Sequence, residues 1–329
     1  MRSKFAIGIL VVLTCGFGLW CWLQPTAPPA VPTSASINPP QPVQHKRFPL
    51  NQPYMNVVTG KQLRPDEPST VPNGANWNLI QTIANPSADY WARMHAVNAF
   101  SSRLSDADWD SLRKFLLKTD TLDNDSIGQV LKNNLMTALC VINPPPSGLG
   151  DLFVQIYRDH KQDEVIRDYA VQHLGQYYEQ MSGRENSDIL LQSVQSVLWD
   201  AVNEPVGSVG GTALLTLKRL SDEFPGGFDR ERIRDTAMRM AGNPIAGELA
   251  HITAFQICAQ MSASAALPLL LEASANGQTM TERISATGSL GLLGGPDQIP
   301  YLNRIIQGPE DRLRLAAQHA LAQIAARHN

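Results

Sequence analysis

The sequence predicts an all-α protein, a stack of helical hairpins. Beyond Trp77, apolar residues recur at spacings of three and four, the mark of a helix with one buried face. The period-two alternation of half-buried strands is missing there. A pattern R-x-x-A-x-x-x-L-x-x-φ, with φ apolar, also returns at a constant step. Arg283-Ala286-Leu290-Leu293 reappears 31 residues on as Arg314-Ala317-Leu321-Ile324, and 32 residues back as His251-Ala254-Cys258-Met261.

Taken in chain order, the first segment is an apolar run. Residues 5–23 carry no charge and follow Arg2 and Lys4. Nineteen helical residues rise about 28 Å, close to the hydrocarbon thickness of a bilayer. Trp20 and Trp22 at the exit suit a retained anchor, so residues 1–23 are expected to be a signal-anchor helix. The positive residues precede the span, which predicts a single-pass membrane protein with a cytoplasmic N-terminus and an extracytoplasmic bulk. Cleavage at Ser34-Ala35-Ser36, giving a secreted protein, is the alternative, and Val12-Leu13-Thr14-Cys15 is an imperfect lipobox.

Residues 24–77 form a linker with twelve of the 23 prolines. Such a segment buries too little apolar surface to offset its ordering entropy and stays extended. Residues 54–60, YMNVVTG, read either as a short strand or as a clip onto the helical region. The remaining chain, 78–329, is helical, broken by connectors such as Asn85-Pro86, Asn143-Pro144, Asn243-Pro244 and Gly294-Gly295-Pro296. Ser105 with Asp108 spells a capping box. Leu267-Pro268 and Ile299-Pro300 each place proline in a first helical turn, where its missing N–H costs nothing.

The repeat extends upstream. Arg167-Ala170-Leu174-Tyr177 fits fully. Gly210-Ala213-Leu217-Leu220, Lys132-Leu135-Leu139-Ile142 and Arg93-Ala96-Phe100 fit in part. The small Ala admits a neighbouring helix closely and the Leu fills the gap beyond. Asp89, Asp163 and Glu310 stand four residues before Arg93, Arg167 and Arg314, a spacing that permits helix ion pairs.

On these residues, and on DEVIRDYAVQHLG (163–175), ERISATGSLGLLG (282–294) and EDRLRLAAQHALAQI (310–324), the chain resembles the HEAT-repeat family. More narrowly it is similar to the short HEAT-like repeats of the phycobilisome-lyase type. The resemblance implies an α-α superhelix, a HEAT/armadillo-like solenoid of about seven hairpins. It separates Cys140 and Cys258 by three repeats, too far for a disulfide, so both thiols are expected free and buried.

Signals of chemistry are sparse. With a net charge of −3 and no long basic run, nucleic acid is not an expected partner. Gly288, Gly291, Gly294 and Gly295 form no phosphate-loop motif. They read as a helix that packs closely and ends in a left-handed glycine cap. Asp123-x-Asp125-x-x-Gly128 lacks the closing acid of a calcium loop. The seven histidines show no zinc spacing; His173 and His319 read as partly buried spacers. Ser111-x-x-Lys114 lacks its companion motifs. The expectation is therefore no catalytic, cofactor or metal site, and a non-enzymatic scaffold or adaptor that binds another protein along its concave face. The alternatives are a lyase-like enzyme, suggested by the resemblance alone, and a small-ligand or glycan-binding envelope protein using Trp91, Tyr177, Tyr178 or Trp199.

Overall fold

The computed structural model describes residues 76–99, 104–119, 126–185, 187–204 and 207–328. The chain divides after Val71, and every described residue belongs to the unit Pro72–Asn329. The apolar run at 5–23, the proline-rich segment with YMNVVTG, and Asp123 and Asp125 lie outside the described residues.

Among the described residues there are fourteen α-helices and no strand. In order they are α1 (Trp77–Ala84), α2 (Tyr90–Asn98), α3 (Asp106–Leu117), α4 (Ser126–Cys140), α5 (Leu149–Arg158), α6 (Glu164–Met181) and α7 (Asp188–Ala201). The next seven are α8 (Val209–Glu223), α9 (Arg230–Ala241), α10 (Glu248–Gln260), α11 (Leu267–Asn276), α12 (Met280–Leu293), α13 (Ile299–Ile306) and α14 (Asp311–His328). Six odd helices, α1, α5, α7, α9, α11 and α13, pack on the even helix that follows as a hairpin, and α3 is joined to α4 through the Lys132 bond to Lys118 O. Every even helix packs on the next even helix, from α2 to α14, so these seven form one continuous layer. The fold is an α-α solenoid of seven hairpins.

Local sequence explains the helix ends. Ser105 accepts from the Asp108 N–H, and Asp108 accepts from the Ser105 N–H, completing the box before α3. Pro268 and Pro300 sit in the first turns of α11 and α13. Asp89 and Asp163 accept from the Ala92 and Val165 N–H groups and so act as N-caps. They are not the helix partners of Arg93 and Arg167 that their spacing permits, because an N-cap side chain folds back over its own first turn.

The core is made of rows. The Ala position of the repeat is buried in every hairpin: Ala96, Leu135, Ala170, Ala213, Ala254, Ala286 and Ala317. The Leu position is buried at Leu139, Leu174, Leu217, Cys258 and Leu290, whereas Leu321 on the last helix is half-buried. Each fully buried Leu contributes about 2 kcal/mol of transfer free energy.

The Arg position has a purpose that spacing alone does not reveal. Arg93 Nε donates to the Ile83 carbonyl at 2.9 Å, and Arg167 Nε to Tyr157 O at 2.7 Å. Arg283 Nε donates to Ser274 O at 3.3 Å and Arg314 Nε to Ile306 O at 3.1 Å. Lys132 Nζ reaches Lys118 O at 2.5 Å, and His251 Nε2 meets Asn243 O at 2.7 Å. In all six hairpins a basic residue in the first half of the even helix caps the C-terminal end of the odd helix before it. The last carbonyls of a helix lack intrahelical partners and carry its negative dipole end, so a cation satisfies both needs.

The glycines of α12 divide by environment. A Cβ on Gly291 would stand 2.6 Å from the Ala320 Cα, so α14 can pack there only against glycine. Gly288 faces open space. Gly294 is extended, at φ −71°, rather than left-handed. What it supplies is room: a Cβ would lie 2.6 Å from Leu290 O. Arg327 donates to the Gly291 and Gly294 carbonyls, both at 2.6 Å, and closes this end from the next helix.

The membrane placement is corrected here. Among the described residues no helix is long and apolar enough to cross a membrane. Those helices run from 8 to 18 residues, and each spends its apolar face on protein neighbours. A single-pass chain with an extracytoplasmic solenoid, anchored through 5–23, therefore has no support from the structure.

Replacing Gly288 by Ala should raise stability by about 0.5–1 kcal/mol through better helix propensity. Gly291→Ala should lower it by about 1–3 kcal/mol through overpacking on Ala320. Urea midpoints at constant m-value read both. Arg283→Ala, which removes the α11 cap and the pair with Glu310, should cost about 2 kcal/mol in the same assay.

Candidate functional site

The even-helix layer exposes a row of side chains five residues after each capping position. It comprises Asn98, Thr137, Gln172, Leu215, Gln256, Gly288 and His319. Equivalent positions on stacked helices line up, so these residues form a ridge across all seven hairpins. None is an acid, a lysine or an arginine. Asn98, Thr137, Leu215 and His319 are exposed and the other three half-exposed. Leu315, 66% exposed, extends the apolar part on α14. Charged neighbours occur in opposite pairs, such as Arg219 with Glu179 and Lys218 with Asp222. The ridge can therefore offer van der Waals contact and amide or hydroxyl hydrogen bonds, without a steering field.

The densest group of potentially reactive side chains lies inside, between α4 and α6. Cys140 Sγ is 3.9 Å from His173 Nδ1. His173 Nδ1 also meets Gln176 Oε1 at 2.8 Å, and Nε2 meets Asn133 Oδ1 at 3.0 Å. Thiol, imidazole and amide are the ingredients of a cysteine nucleophile, but the electrostatics oppose that use. Burial pushes the Cys140 thiol up to about 12 and the His173 imidazole down to about 4. A thiolate–imidazolium pair is thus disfavoured at both ends, and the group serves as a neutral buried network. Cys258 is likewise pushed up to about 12 by burial. Both thiols are free and buried, as expected from their separation.

Asp168, on α6 beside the capping Arg167, is the most perturbed acid among the described residues. Only 5% of it is exposed, and its Oδ1 has no hydrogen-bond partner. Burial pushes its carboxyl up to about 6; the Thr212 and Ser208 hydroxyls pull the other way, and Glu164 adds to the rise. Sequence reasoning misses this residue. Its one signal is a lone acid inside the apolar face of DYAVQHL.

The repeat residues named from sequence are distributed rather than convergent. Arg93, Arg167, Arg283 and Arg314 cap odd helices. Ala96, Ala170, Ala213, Ala254, Ala286 and Ala317, with Leu174, Leu217 and Leu290, line the core, while Leu321 lies at its edge. His251 takes the place of an Arg and caps as one. His319 is exposed rather than partly buried. Ser111 donates to the Ala107 carbonyl of its own helix at 2.8 Å. Tyr177, Tyr178 and Trp199 are buried, and of the four aromatics suggested for glycan only Trp91 is exposed, at 68%. A glycan groove built from them is excluded. Among the described residues no cluster of three His, Cys, Asp or Glu is placed to hold a metal ion.

No family model matches the chain. No curated protein is significantly similar to it either. Seven solved chains match. One is human deoxyhypusine hydroxylase in complex with glycerol, at 17% identity and a TM-score of 0.36, covering 76% of this chain and 96% of that one. A likeness this remote transfers no activity. The expectation of a chain without enzymatic activity is not upheld: a protein named as an enzyme is among the matches, and fold by itself does not decide activity.

In the native chain Cys140 and Cys258 should resist alkylation at pH 8, and both should react once urea unfolds it; peptide mass mapping distinguishes the two states. The His173 imidazole should remain neutral from pH 8 down to about 5, read as constant ring-proton NMR shifts over that range.

Proposed function

We propose that the chain is a protein-binding helical repeat, a scaffold or adaptor whose even-helix layer receives an extended, largely uncharged segment of a protein partner. The observation that carries this reading is the exposed ridge from Asn98 to His319, which crosses seven hairpins without an acid, a lysine or an arginine. Buried rows on either side hold the even helices in register, so the ridge is pre-organised and loses little entropy on binding. A stacked repeat presents a long surface rather than one deep cavity, and such surfaces suit polypeptide partners better than compact solutes. The amides of Gln172 and Gln256 supply hydrogen-bonding groups for a partner backbone, and Leu215 and Leu315 supply apolar contacts.

A photo-crosslinking residue placed at Thr137, Gln172, Leu215 or Gln256 tests the reading in cells. Crosslinks to one common protein are expected from these positions and not from Ile189 on α7, which is 84% exposed but belongs to an odd helix. Leu215→Lys should weaken the crosslinks from neighbouring positions at least several-fold. Equal yields from Ile189 and the ridge, or no crosslinked protein at all, would refute it.

A further inference from the structure

Among the described residues, the one buried acid with an unpartnered oxygen sits where two hairpins join. Glu164 and Asp168 occupy one face of α6, four residues apart, and both meet the beginning of α8. Glu164 Oε1 accepts from the Ser208 N–H at 2.9 Å. The chain reaches that contact through Gly207, at φ +86°, where any side chain would collide with the Glu164 carboxylate. One turn further along α6, Asp168 faces the hydroxyls of Ser208 and Thr212, with Oδ1 unpartnered. Two carboxylates thus press on one short stretch of α8, and the inner one is sealed from water.

We propose that the junction between α6 and the first turn of α8 is a pH-sensitive joint, closed when the Asp168 carboxyl is protonated and loosened when it ionises. A neutral carboxyl can be buried against two hydroxyls at small cost. An ionised one in the same place keeps a desolvated charge, with an oxygen that nothing satisfies and a like charge on Glu164 nearby. Opening the first turn of α8 would admit water to Asp168 and relieve all three penalties.

The groups around it neither supply nor cancel this response. Lys132 on α4 engages Lys118 O, and Arg158 on α5 pairs with Asp200 on α7 at 3.8 Å. Tyr157 on α5 is directed to Glu204, Arg167 on α6 binds Tyr157 O and Glu204, and Arg219 on α8 pairs with Glu179. Of the charged side chains, Glu164 alone acts on Asp168, and it raises the carboxyl further.

The closed joint holds the carboxyl at about 6, while an open, hydrated one returns it to the ordinary value of 3.8. Closure is therefore fully favoured below about pH 4 and is lost as pH rises through about 6. Two units correspond to a factor of up to about a hundred in the opening equilibrium.

Hydrogen–deuterium exchange on the full chain, corrected for intrinsic rates, tests this. Between pH 4.5 and 7.5, protection at 207–216 should fall by tens of fold relative to 299–328. Asp168→Asn, which keeps the shape but cannot ionise, should hold protection constant across the range. A wild-type protection factor that does not change with pH, or one that changes equally in Asp168→Asn, overturns the proposal. If Asp168→Asn does not fold, Glu164→Gln decides: removing the like charge should move the transition to lower pH, and an unmoved midpoint overturns the proposal as well.

Discussion

The solenoid depends on how each odd helix ends. A helix of about ten residues leaves four carbonyls without partners at its C-terminus, a large share of its backbone, and in a hairpin stack that end is packed rather than freely hydrated. One basic residue in the first half of the following even helix meets the requirement in six of seven hairpins. It also constrains the angle and register at which the two helices meet, because the guanidinium, ammonium or imidazole must reach a carbonyl eight to fourteen residues back. The fourth hairpin shows the constraint by exception. Gly210 replaces the basic residue, and a Cβ there would stand 3.0 Å from the Glu204 carbonyl, so backbone packs directly where a side chain reaches elsewhere. Asn203 Nδ2 donates to Trp199 O at 2.9 Å and closes α7 from within its own loop.

Three of these basic residues also tie their hairpin to the next. Arg167 pairs with Glu204, His251 Nδ1 meets Glu282 Oε1 at 2.5 Å, and Arg283 holds Glu310 with two bonds of 3.0 and 3.1 Å. In each case the acid belongs to the following hairpin. A cap therefore serves as a joint between repeats as well. The pairs of Arg167 and His251 are the buried ones, and such pairs repay little net free energy after desolvation, yet a broken one leaves an unpaired polar group inside the stack.

Most of the polar chemistry of the chain is spent on holding it together, and this shapes the functional reading. Cys140, His173 and Asn133 lie together but neutral and enclosed. The exposed row that remains along the even layer, from Asn98 to His319, is long, regular and without acid or strong base. Such a surface favours recognition by shape and hydrogen bonding, and the Asp168 junction lies directly beneath it. A change in the packing of α8 would move Leu215 relative to Gln172 and so alter the ridge at its middle.

The helical class, the hairpin stack, the 31–32-residue step, the Ala and Leu rows and the free thiols were legible in the residues themselves, because apolar periodicity and helix-stop chemistry act over a few neighbouring positions. The partners of the basic residues were not. Arg167 with Asp163 looks like an ion pair along one helix, and only the fold brings Tyr157 O and Glu204 closer to the guanidinium. Gly288 and Gly291 look alike in sequence, and only the packing of α14 makes one replaceable and the other not. Asp168 reads as an ordinary helix acid until the neighbouring hairpin covers it. Periodicity is a property of one segment, whereas burial, capping across a hairpin and the pKa of an enclosed acid depend on which other segment arrives. Tertiary structure alone decides that.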